Sequence, residues 1–226
     1  MFSRFLTSAL FAGAVTGLIA GLLQLAFVQP VLLHAELYES GNLLHFGADP
    51  VLSNPVLPGF SVVRDGLSVI FTMLIYTGYA MLLLALMSLA EDRGATIDGR
   101  TGLLWGVAGF VTFHLAPGFT LAPEVPGAAA ADVGARQIWW FATVAAAGLA
   151  LWLIAFTHSW LLWAVSGVLL AAPHLIGAPE PVSFSGSVPP ELAALFAARA
   201  LGVGMAAWVL LGSLTGFFWE RDALYE

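Results

Sequence analysis

Long apolar stretches separated by short polar ones organise this chain. The apolar runs lie at about 5–28, 67–89, 102–119, 138–156, 160–176 and 196–219, and nearly all the charge falls between them. A membrane span needs about 20 mostly apolar residues, because each helical residue rises about 1.5 Å through a hydrocarbon core about 30 Å thick. Backbone groups in lipid must bond within their own segment, so each run is predicted to be a helix. The pattern predicts an all-α fold: a polytopic membrane helix bundle of about six transmembrane helices arranged as three helical hairpins. Residues 1–226 read as a single integral membrane domain.

The connecting segments alternate in length. Those at about 29–66, 120–137 and 177–195 are long, and those at about 90–101 and 157–159 are short. The long ones are rich in proline: Pro30, Pro50, Pro55 and Pro58; Pro117, Pro123 and Pro126; Pro173, Pro179, Pro181, Pro189 and Pro190. Proline fixes φ and lacks an N–H, so turns and extended stretches are expected there rather than long helices. Val31 to Tyr38 is expected to continue the first helix beyond a kink at Pro30. Ser187, Pro189, Pro190 and Glu191 mark the start of the last helix.

The run from Phe5 to Val28 is longer than a signal-peptide core, so it reads as a retained first helix. Arg4, Arg93, Arg100 and Arg221 then share one side of the membrane, and Arg64, Arg136 and Arg199 the other. That margin is narrow for the positive-inside rule. The even number of spans and the short, charged second connection place both termini on the cytoplasmic side. Trp105 and Trp219 then fall near inner ends and Trp139 and Trp140 near an outer end, where interfacial tryptophans belong.

Composition narrows the functional classes. The chain is 60% hydrophobic and 9% charged, with a net charge of −7. All seven basic residues are arginines, too few for nucleic-acid binding. There is no cysteine, which excludes disulfides, thiolate metal sites and thiol catalysis. No phosphate-binding GxxxxGK[ST] loop, HExxH or GxSxG occurs, so the chain is not its own ATPase and is not expected to be an enzyme.

Glycine rows predict where helices meet. Gly13, Gly17 and Gly21 recur every four residues, as do Gly102 and Gly106, and Gly212 and Gly216. Such rows let backbones approach closely, and packing replaces the hydrophobic force that lipid removes. The row on the first helix is predicted to be buried against another helix.

The candidate chemistry lies in the histidines. On the predicted topology His34, His45, His114 and His174 fall on the outer side, and only His158 sits in an inner turn. Carboxylates accompany them: Glu36 and Glu39 after His34, Glu124 after His114, Glu180 after His174, with Asp132 and Glu191 as further candidates. Imidazole with carboxylate and no thiolate suits cobalt, nickel or zinc. The candidate metal ligands are therefore His34, Glu36, His114, Glu124, His174 and Glu180. The competing reading is hydrogen-bonded helix ends and solvated loop charges, and it is preferred for His45 and His158. Met73, Met81 and Met87 are irregularly spaced and read as packing. The three hairpins share a sequence pattern of His near Pro, a Pro/Glu loop, then Arg, which fits a triplicated unit.

Four blocks carry a resemblance. They are Phe113-His114-Leu115-Ala116-Pro117; Ala122-Pro123-Glu124-Val125-Pro126-Gly127; Ala135-Arg136-Gln137-Ile138-Trp139-Trp140; and Ala172-Pro173-His174-Leu175-Ile176-Gly177-Ala178-Pro179. Together with Phe27-Val28-Gln29-Pro30 and His34-Ala35-Glu36, they resemble the signature blocks of the CbtA family along essentially the whole chain. The resemblance implies a bacterial inner-membrane protein, a cobalt-transporter subunit working with a small single-span, histidine-containing partner, CbtB. No cofactor is firmly implied; the implied ligand is bound or transported Co2+, with Ni2+ and Zn2+ as alternatives. The expectation is a membrane subunit of a divalent transition-metal uptake system that binds the ion at the outer face through His and Glu. The alternative is a non-transporting structural or accessory subunit of a larger complex.

Overall fold

The computed structural model describes residues 2–45 and 53–223; Pro50 lies outside the described residues. Among these the chain is helical, with no strand. The helices are α1 (Phe2–Glu39), α2 (Val62–Glu91), α3 (Gly99–Thr120), α4 (Val133–Phe156), α5 (Trp160–Ile176) and α6 (Pro190–Ala223). All but α5 are long and apolar enough to cross a membrane. Helix α5 has 17 residues, a length of about 26 Å, at the short end of the spanning range. The chain is a polytopic all-α membrane protein.

The first helix runs on past Pro30, as its sequence predicts, by widening first. Gln24–Val28 form a π-helical turn, and Pro30 enters the next turn near its start, where a missing N–H costs least. Helix α3 repeats the device. Val111–Leu115 are π-helical, and Pro117 follows the turn at the same offset as Pro30.

The chain divides into two compact units. The first comprises Met1–Phe27, Gly59–Phe110 and Gly202–Glu226. Its packing is that of a protein in lipid. Over Phe2–Leu23 of α1 the buried residues are all small: Ser8, Ala9, Ala12, Gly13, Thr16, Gly17, Ala20 and Gly21. The large ones, among them Leu10, Phe11, Leu18 and Leu22, face outward. Small residues inside and large apolar residues outside suit a lipid solvent and would aggregate in water.

The glycine rows are the seams of this unit. A Cβ on Gly13 or Gly17 would strike the backbone of Thr77 or Met73 on α2, and one on Gly21 would lie 3.2 Å from Val69 Cα. The other two rows meet each other. Gly102 lies against Gly212, Gly106 against Trp208, and Gly216 against Asp98, each by direct backbone approach. At one end Arg4 donates to the Trp219 carbonyl from Nε at 3.0 Å and Nη2 at 2.7 Å, and its guanidinium lies 3.7 Å over the Trp219 ring. Trp219 Nε1 donates to Glu91 at 2.9 Å. These bonds tie α1, α2 and α6 together at the interface level, where a cation also complements a helix C-terminus.

The second unit comprises Val28–Pro58 and Val111–Leu201. Helices α4 and α5 pack side by side across the turn Thr157, His158 and Ser159. Val31, Ala35 and Tyr38 of α1, Val125 of the α3–α4 connection, and Val188 and Leu192 form one apolar cluster. Gly127 turns the chain at φ +78°, and its carbonyl accepts from Ser187 N at 3.0 Å, stitching two proline-rich connections together. They run as turns and extended stretches, as their prolines predict.

Candidate functional site

All six candidate ligands belong to the second unit. His174 is in the last turn of α5, next to Pro173 inside the helix. Its Nδ1 lies 3.1 Å from Thr120 Oγ1, the direction of donation being set by the imidazole tautomer. Phe119 meets it edge-on at 5.2 Å and Trp139 at 6.1 Å. Trp139 is itself fixed, donating from Nε1 to the Pro173 carbonyl at 3.3 Å. The imidazole is thus oriented by one hydroxyl and two aromatic rings.

Glu124 is half-buried in the α3–α4 connection and pairs with Arg136 in the first turns of α4, Oε2 to Nη2 at 2.6 Å. Asp132, expected as a further ligand candidate, caps α4 by accepting from Ala135 N at 2.9 Å. A carboxylate aimed at a helix N-terminus is satisfied by it.

His34 is 9% exposed and stacks on Tyr38 one turn later, ring centres 5.5 Å apart and planes at 28°. Glu36, on another face of the same helix, is exposed. His114 sits within the π turn of α3, half-buried, and the neighbouring Phe113 ring lies 6.1 Å from Trp140. Glu180 is exposed, as is His158.

Among the described residues, no three His, Asp or Glu side chains gather closely enough to hold a metal ion. His174 instead meets Thr120 and Trp139, and Glu124 pairs with Arg136. Thr120 and Trp139 were not expected from the sequence as partners of His174, nor Tyr38 as a partner of His34. Thr120 lies 54 residues from His174, so no local spacing could have joined them.

The chain matches, over residues 2–220, the family described as "Probable cobalt transporter subunit (CbtA)". It belongs to the CbtA family. The four sequence blocks that carry the resemblance fall on α3, α4, the end of α5 and the α3–α4 connection of the second unit. The family description points to a transporter subunit, the apolar helices to a membrane-embedded one, and a subunit implies further components. No curated protein and no solved structure matches it.

Proposed function

We propose that this chain is the membrane subunit of a cobalt(II) uptake system and that the second unit meets the ion. The family match over nearly the whole chain carries the reading. His174 and Glu124 would be the first groups to engage cobalt, followed by His114 and His34, with Glu36 and Glu180 as exposed carboxylates at the approach. The unit faces away from the cytoplasm, both termini lie inside, and the membrane is the bacterial inner membrane. A small single-span, histidine-containing CbtB-like partner supplies the missing ligands.

The chemistry favours transient capture. His174 exchanges the Thr120 hydroxyl for the ion, and Glu124 exchanges Arg136. An ion that must move on needs ligands that bind and release, not a closed cage. Imidazole and carboxylate bind divalent first-row ions without thiolate tightness. The chain carries no nucleotide-binding loop, so the driving force comes from the membrane potential, an ion gradient or the partner.

The accessory-subunit alternative draws on the glycine rows and on the sparse charge within the membrane. The glycine rows pack against helices of this chain, so they lend it no docking surface for other chains, while the sparse charge fits either reading. Cobalt uptake into proteoliposomes, with the purified chain alone and then with its partner, separates the two readings. In cells lacking other uptake routes, His174→Ala lowers cobalt accumulation severalfold at unchanged protein level. Full accumulation in both His174→Ala and His114→Ala would end the proposal that the second unit binds the ion.

A further inference from the structure

The first unit contains a polar feature that this transport reading does not use. Helix α1 carries Gly13-Ala14-Val15-Thr16-Gly17, and α6 carries Gly212-Ser213-Leu214-Thr215-Gly216. In each, a threonine precedes the second glycine of a packing row. Thr16 and Thr215 are both 0% exposed. Neither hydroxyl has a hydrogen-bond partner among the described residues. Among the described residues the buried Tyr38 hydroxyl, in the second unit, also lacks a hydrogen-bond partner, whereas three buried hydroxyls are satisfied by carbonyls of their own helices. Thr72 donates to the Ser68 carbonyl at 2.8 Å, Thr143 to Trp139 at 2.9 Å, and Ser166 to Leu162 at 2.8 Å.

The two threonines stand at one level. Ser8 Oγ donates to Asp222 at 3.1 Å, and the Phe11 and Phe218 rings lie 6.0 Å apart, so α1 and α6 run antiparallel here. Thr16 lies eight residues beyond Ser8, and Thr215 seven residues back from Asp222. At about 1.5 Å per residue the two differ in height by roughly 1.5 Å counted from that bond. Counted from the phenylalanine pair, the difference is about 3 Å. Both positions lie on the buried sides of their helices.

We infer that Thr16 and Thr215 hold a buried water molecule between α1 and α6. An unpaired buried hydroxyl is costly, and a buried water ordinarily bonds two to four such groups. Each hydroxyl can donate once and accept twice, so the pair supplies enough bonding capacity for one bridging molecule. The ligand must be neutral. The first unit's apolar spans at 5–27, 67–89, 102–110 and 202–219 contain no Asp or Glu, so nothing there would neutralise a cation. The glycine beside each threonine packs closely on backbone, Gly17 on Met73 of α2 and Gly216 on Asp98 just before α3, so any ligand held there must be small. The site ties two helices through hydrogen bonds where lipid provides no hydrophobic drive.

Thermal unfolding of the purified full chain in detergent tests the inference. Thr16→Val and Thr215→Val each lower the midpoint by about 2–4 °C, because each removes a partner of the water. The double variant loses less than the sum, since the water departs with the first hydroxyl. Thr16→Ser and Thr215→Ser, which keep the hydroxyl, stay closer to the native midpoint than the valine variants. Valine variants at or above the native midpoint would show hydroxyls that bond nothing, and the inference would fall. A density map of the native chain that resolves waters gives the direct reading. Density within hydrogen-bond reach of both hydroxyls is expected. A dry contact, or both hydroxyls bonded to their own helix carbonyls, overturns it. Neither measurement depends on cobalt transport, so the uptake proposal can fail while this one stands.

Discussion

Glu124 Oε2 lies 2.6 Å from Arg136 Nη2, and both side chains are about one-quarter exposed, at 25% and 27%. The ion pair fastens the α3–α4 connection onto the first turns of α4. It also occupies the carboxylate proposed to receive cobalt. Glu124→Gln should therefore lower cobalt accumulation severalfold. Arg136→Gln should leave the carboxylate free and reduce accumulation far less, while costing roughly 1 kcal/mol of stability after solvent screening. The two variants are compared by cobalt uptake at matched expression and by thermal unfolding. Equal loss of uptake in both would make the pair a structural clasp and remove Glu124 from the ion's route.

The helices were legible because lipid imposes a simple rule on them, and the runs at 5–28 and 160–176 fall inside α1 and α5. The seam of Gly13, Gly17 and Gly21 was legible for the same reason: a four-residue period of small residues has few uses in a membrane. Its partner, the Val69, Met73 and Thr77 face of α2, was not, because that face has no glycine row to announce it. The π turns were also hidden. Pro30 signalled a kink and Pro117 was read with the loop prolines, but proline alone does not say whether the turn before it widens. Among the candidate ligands, Glu124 could be read as a ligand only by ignoring Arg136, which lies twelve residues further on and folds back through the connection. Asp65 was hidden among the loop charges. It is buried in the first turn of α2, held by Arg64 Nε at 2.7 Å and by Ser61 N at 2.8 Å. The Ser61 cap followed by an acidic residue in the first turn was the available signal.

The α1–α2 seam predicts a sharp contrast between glycines. Gly17→Leu places a side chain where α2 backbone already stands, and overpacking of this kind costs about 1–3 kcal/mol or more. The expected result is a lower unfolding midpoint and poor yield of folded protein. Gly78, on α2, is open: a Cβ added there would meet nothing within 4 Å. Gly78→Ala should be neutral or stabilise by about 0.5–1 kcal/mol, since glycine is a poor helix residue. Thermal unfolding of both variants in the same detergent makes the comparison. Equal stability of Gly17→Leu and the native chain would mean that this seam does not hold the first unit together.

Asp98 offers a pH-dependent prediction. Its Oδ1 accepts from Thr101 N at 2.6 Å and Arg100 N at 2.7 Å, and its own N–H donates to Thr101 Oγ1 at 3.0 Å. The bond from Thr101 N, helped by that from Arg100, holds the Asp98 carboxyl below its ordinary value of 3.8. A group whose native value is depressed adds stability above its unfolded value and loses it as pH falls through the native one. The stability gap between the native chain and Asp98→Ala should thus be constant above about pH 5 and shrink below about pH 4. Asp98→Asn keeps a neutral cap, so its gap to Asp98→Ala should not change with pH. Unfolding midpoints across that range check both. A native-to-alanine gap that widened on acidification would mean that the cap does not act through the charged carboxylate.

The direction in which the chain crosses the membrane decides whether the second unit can meet incoming cobalt at all. The α3–α4 connection around Ala129, the α5–α6 connection around Ser185 and the α1–α2 connection at Asn54 must then share the outer side, and the α2–α3 connection at Ala95 the inner side. The absence of native cysteine makes this a clean measurement. Single cysteines at Asn54, Ala129 and Ser185 should react with an impermeant thiol reagent in intact cells, and one at Ala95 only after the membrane is opened. The expected direction rests on the even number of helices and the charge of 90–101, since the arginines alone divide almost evenly. The test also covers α5, whose 17 residues put it at the short limit for a span. If α5 failed to cross, Ser185 would share its side with His158 rather than with Ala129. Labelling at Ala95 and not at Ala129 would reverse the orientation, place His174 and Glu124 on the cytoplasmic side, and turn the uptake proposal into one of release or export.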